Sequence, residues 1–112
     1  MQATAVVFPL LPGKREALRL FLEALEGEWK EEHDRTHSRI SNERWFVQAL
    51  PEGEIVIVYL EGNDPSYIFA DLAVSQGEFE VWFREQALDI TGVNLELLPP
   101  FSVPECVLTR AR

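Results

Sequence analysis

Residues 54–61 read Glu54-Ile55-Val56-Ile57-Val58-Tyr59-Leu60-Glu61, six apolar residues closed at each end by a carboxylate. β-Branched and aromatic side chains dominate the run, which marks it as a strand. It is far shorter than the about 20 residues a membrane helix needs. Immediately before it, Pro51-Glu52-Gly53 is a short turn, and residues 44–50 (RWFVQAL) read as a second strand, so the two form a hairpin. After it, Asn63-Asp64-Pro65 opens a helix, with Asp64 placed to cap free N–H groups and Pro65 suited to the first helical position.

Working outward, residues 4–10 (TAVVFPL) form a first strand, ended by Pro12-Gly13. From Lys14 the period changes to that of a helix, with Leu18, Leu22, Leu25, Trp29, Thr36 and Ile40 on one stripe. Gly27 weakens its middle by about 1 kcal/mol and invites a kink, and Ser41-Asn42 stops it. The second helical region runs to about Ser75, breaks near Gly77 and resumes over 78–91, burying Phe79, Trp82, Phe83, Gln86 and Ile90 before Gly92 ends it. Past Pro99, Pro100 and Pro104, residues 105–110 (ECVLTR) read as a last strand. The order strand, helix, strand, strand, helix, strand puts both helical regions on one face of an antiparallel sheet. This is an α+β, ferredoxin-like βαββαβ sandwich, a single domain over residues 1–112.

A sheet with one wet face alternates apolar and polar residues. These strands do not: in 55–60 both alternate sets are apolar, and the same holds for Val6-Val7-Phe8 and Trp45-Phe46-Val47. Four or five such side chains left in water would forfeit about 1.5–3 kcal/mol each, most of a small domain's net stability. A second copy pressed against the helix-free face is the economical cover, since two-fold dimers are the commonest oligomers.

Composition narrows the partners. The 112 residues carry 10 Lys+Arg against 19 Asp+Glu, a net charge of −9, which argues against nucleic acid and anionic membranes. Cys106 is the single cysteine, and Met1-Gln2-Ala3-Thr4 has no basic leader region, so the expected location is the cytoplasm.

Several connected signals carry a resemblance: Leu11-Pro12-Gly13-Lys14, Tyr59-Leu60-Glu61 with Asp64-Pro65, Phe79-x-x-Trp82-Phe83-Arg84, and Asp89-Ile90-Thr91-Gly92-Val93. Together they resemble a group of small uncharacterised bacterial proteins with the dimeric α+β-barrel fold, shared by antibiotic-biosynthesis-type monooxygenases and muconolactone-isomerase-like proteins. The resemblance implies a face-to-face sheet dimer with a cavity in each subunit between helices and sheet, and separately no cofactor is expected. It does not imply a reaction.

Candidate chemistry centres on the two histidines. His33 and His37 lie four apart on the first helix, the spacing of a zinc site, yet no third ligand is singled out beyond Glu61, Asp64 and Cys106. The favoured reading is therefore no metal, with His33 hydrogen-bonded at the core rim and His37 solvated. Trp29, His33, Trp45, Tyr59, Phe79, Trp82 and Phe83 are the candidate lining of an apolar ligand pocket, and His33, Tyr59 and Tyr67 the candidate acid/base or positioning groups. Arg44 and Arg84 are placed to pair with acids or a ligand carboxylate, and Cys106 to pack as a small side chain in its strand. The function expected is binding of a small apolar or aromatic molecule. The alternatives are a cofactor-independent monooxygenase- or isomerase-like enzyme and a purely structural or interaction dimer.

Overall fold

The protein was analysed as a computed structural model, which describes residues 2–97 and 104–111. The elements are β1 (Gln2–Leu10), α1 (Arg15–Leu25), α2 (Lys30–Thr36), β2 (Ile40–Leu50), β3 (Gly53–Gly62), α3 (Tyr67–Val74) and α4 (Glu78–Thr91), followed by one 3₁₀ turn, Leu95–Leu97. The three strands make one antiparallel sheet in the order β1-β3-β2. The apolar 55–60 run is its central strand, hydrogen-bonded on both sides.

Register sets the two faces. Val6, Val58 and Trp45 share one cross-strand row, Phe8, Val56 and Val47 the next, and these side chains point at the helices. Val56 and Val58, with Phe8, Trp45 and Val47 packed against them, meet Leu18, Phe21 and Leu25 of α1, Ile68 and Leu72 of α3, and Phe79, Phe83 and Ile90 of α4 in one core. The opposite face carries Val7, Ile57 and Phe46 in one row and Ala5, Tyr59 and Arg44 in another. Among the described residues nothing covers this face: Val7 is 55% and Phe46 49% exposed.

The structure revises several expectations. The first helix breaks into two rather than kinking: the Trp29 N–H reaches back to the Ala24 carbonyl at 2.9 Å, and Lys30 restarts the helix. Ser41-Asn42 does not stop the chain before β2 but sits inside it, where the pairing steps from Ile40 to Asn42 and leaves Ser41 as a bulge. Asp64 does not cap α3 with its side chain. It adopts φ of 52°, accepts a hydrogen bond from Ser66 Oγ, and its carbonyl takes the Tyr67 N–H. The fourth strand of a full βαββαβ sandwich is missing among the described residues: 104–111 are irregular and exposed, and Cys106 is exposed rather than packed. The break before α4 and the left-handed Gly92 at its end stand where the sequence puts them.

Candidate functional site

α2 is too short to bury much on its own, and what it does bury is imidazole. His33 is 5% exposed, and the His37 side chain, one residue past the end of α2, is nearly as enclosed. Their four-residue spacing stacks the rings with centroids 4.0 Å apart. Facing them from β2 is Glu43, which the bulge at Ser41 sets on the helix side of the sheet, in the row of Leu60 and Thr4.

The three side chains are wired together. His33 Nε2 lies 2.9 Å from Glu43 Oε1 and donates to it, since a carboxylate only accepts. Glu43 Oε2 accepts from Trp45 Nε1 at 2.8 Å and lies 4.0 Å from His37 Nε2. His37 Nδ1 stands 3.0 Å from the His33 carbonyl oxygen and 2.8 Å from Thr36 Oγ1. That network assigns the His37 hydrogen to Nδ1 and leaves a lone pair on Nε2, turned toward Glu43. Burial, reinforced by the neighbouring His33, pulls His37 down to about 4, so its ring is neutral at pH 7. Burial alone would push the Glu43 carboxyl up. The hydrogen bond from His33, the pull of the two histidines in the acidic range where the carboxyl titrates, and the Trp45 N–H outweigh it and hold Glu43 below the ordinary carboxylate value. One polar atom is left over: His33 Nδ1 is buried with no partner among the described residues.

His37 and Glu43 belong to two spaces at once. Outward they join His33, Asp34, Ser38 and Asn42 around a surface depression. Inward they close one end of an interior cavity of about 50 Å³, walled chiefly by apolar side chains including Phe8, Leu18, Phe21, Trp45, Phe83 and Ala87. Of the residues the sequence proposed for a pocket, Trp45 and Phe83 line it. Trp29, Phe79 and Trp82 instead form an aromatic stack beside it, with Trp29 and Trp82 rings 5.3 Å apart and Phe21 on the far side of Trp82. His33 packs against Phe79, at the edge of that stack.

Both tyrosines lie elsewhere. Tyr59 is on the helix-free face, where its hydroxyl donates to Glu61, because it alternates with the inward-facing Val58 and Leu60. Tyr67 donates to the Thr36 carbonyl at 2.6 Å and carries the Arg39 guanidinium 3.7 Å above its ring, a tie between α3 and the end of α2. Arg84 is buried and donates to the Leu72 and Ser75 carbonyls at 2.7 and 2.6 Å, closing the C-terminal end of α3, and it pairs with Glu96. Arg44 projects from the helix-free face. Expecting a solvated His37 misjudged the end of α2, and Glu43 was missed altogether. The signal for it was present: Glu43 stands two residues before Trp45, hence on the same face as a core aromatic.

Compared with known proteins, the chain matches no protein family, no curated protein and no solved structure.

Proposed function

We propose that the protein is a homodimeric binding domain whose interior cavity receives a small, mainly apolar molecule, with His37 and Glu43 as the groups that orient its polar end. The composition of the cavity wall carries this reading. An apolar lining with a few convergent polar groups, one of them of strongly shifted pKa, is the pattern of a small-molecule site. Its volume bears on the size of the ligand. About 50 Å³ is well under the roughly 150 Å³ of an apolar cavity that holds benzene, which favours a molecule smaller than the aromatic one expected from sequence. A molecule of a few heavy atoms, such as a short alcohol or acid, fits.

Trp45 lines the cavity and its indole N–H is bound to Glu43, another lining residue, so its nitrogen and proton resonances report occupancy. Titration with straight-chain 1-alkanols of increasing length is expected to move that peak saturably for the shorter members and to lose the effect as the chain outgrows the space. Ala87→Leu, which extends a lining residue into the cavity, is expected to abolish the saturable shift. A shift that never saturates, or one that survives Ala87→Leu, contradicts the reading. A second observation favours the dimer: the helix-free face presents Val7, Phe46 and Leu50 to solvent around half-buried Ile55, Ile57 and Tyr59, with no segment among the described residues over them.

A further inference from the structure

We infer that His33, His37 and Glu43 form a binding site for a divalent transition-metal ion of the zinc type. It uses the same His37 and Glu43 as the proposed ligand site, from the side of the surface depression, and does not require a molecule in the cavity. One ring nitrogen of each histidine and one oxygen of Glu43 all lie within 4.8 Å of one another. Ligand atoms on a tetrahedral ion at about 2.05 Å are roughly 3.3 Å apart, so small side-chain adjustments close the three around one ion. Two imidazoles and a carboxylate are a donor set suited to zinc or ferrous iron and poorly suited to magnesium or calcium, which take oxygen ligands.

Two further observations point to an ion rather than to a plain hydrogen-bonded cluster. Ligating histidines almost always donate their other N–H to a carbonyl or carboxylate, and His37 already does so through Nδ1, leaving Nε2 as a lone pair directed at Glu43. Glu43 is likewise steadied from behind by the Trp45 indole. The second observation is that Glu43 faces both imidazoles at once, with Oε1 2.9 Å from His33 Nε2 and Oε2 4.0 Å from His37 Nε2, so one carboxylate already spans the two ring nitrogens an ion would use. On binding, His33 Nε2 exchanges its hydrogen bond to Glu43 for a bond to the ion that both share. The Nε2 hydrogen leaves to solvent or crosses to Nδ1. The surface depression over the three residues gives the ion a path from solvent. Three protein ligands leave at least one position open, as in catalytic rather than structural zinc sites.

The test uses the whole chain, made without a histidine tag and stripped with a chelator. Because the chain has only two histidines and both are in the site, their imidazole nitrogen resonances read it without any substitution. Addition of Zn²⁺ is expected to shift both imidazoles together and to saturate at one ion per chain. Co²⁺ is expected to give the visible absorbance of a four- or five-coordinate site, displaced by Zn²⁺. Glu43→Gln keeps the size of the side chain and removes its charge. It is expected to weaken binding by more than the 10–100-fold typical of losing an outer partner, with circular dichroism unchanged. Uptake below a tenth of an ion per chain overturns the proposal. So does stoichiometric uptake that leaves the two imidazoles unmoved, or a folded Glu43→Gln chain that binds as tightly as the parent.

Discussion

At the scale of single residues, the closest tolerance is at Gly62, the last residue of β3. A Cβ there would stand 2.1 Å from the Arg39 carbonyl oxygen, and the obstacle is backbone rather than a flexible side-chain tip. Gly62→Ala is expected to lower stability by about 1–3 kcal/mol in urea unfolding with an unchanged denaturant slope. An unaltered midpoint would mean that the junction between α2 and β2 gives way easily. Tyr59 offers a pH prediction. Its hydroxyl donates to Glu61, so ionising it would lose that bond and set a second negative charge beside the carboxylate. Both effects raise its pKa above the ordinary value of 10. In an ultraviolet titration of the two tyrosines, Glu61→Leu is expected to bring one ionisation to lower pH and leave the other in place. The residue scale also shows how much of the site the sequence carries. The histidine spacing is legible because a helix has a fixed period. Glu43 is legible only in part: alternation from Trp45 puts it on the core face, but its meeting with the two histidines depends on how α2 packs against β2, which no local pattern contains.

At the scale of elements, the apolar run 55–60 was readable as a strand because both faces of it are buried or half-buried and both neighbours pair with it. The break between α1 and α2 was legible only as a weakness at Gly27. The chain takes the full break since Trp29 turns inward to stack on Trp82 and Phe79, a tertiary gain that local propensity does not contain. Residues 105–110 show the converse: their composition suits a strand, but a ladder needs a partner, and within one chain Val107 stays 87% exposed. α3 depends on a contact made by another element. Arg84 of α4 supplies hydrogen bonds to the Leu72 and Ser75 carbonyls, at and just past its C-terminal end, and Arg84→Met leaves them unpaired in a largely buried place. A loss of about 1–3 kcal/mol is expected, with amide exchange speeding most in α3. Uniform acceleration across the chain would show that Arg84 supports the whole fold rather than this helix.

At the scale of the whole molecule, the sheet divides the protein into a side that is finished and a side that is not. The finished side holds the core, the cavity and the histidine–glutamate cluster, all positioned by helices laid on Val56, Val58 and Leu60. Truncating Leu60, 1% exposed at the centre of that layer, to Ala is expected to cost about 2–5 kcal/mol in urea unfolding. A smaller loss would mean that the helices collapse onto the gap. The other side, bare among the described residues, bears Val7, Ile57 and Phe46 across three adjacent strands, the strip on which the proposed dimer rests. A two-fold contact would place Phe46 of each copy in one interface, so Phe46→Asp enters it twice. Sedimentation equilibrium at micromolar concentration tests this most directly. The account predicts a species of twice the 12.8 kDa chain mass, converted to single chains by Phe46→Asp, and a parent protein that sediments throughout as one 12.8 kDa chain would contradict it.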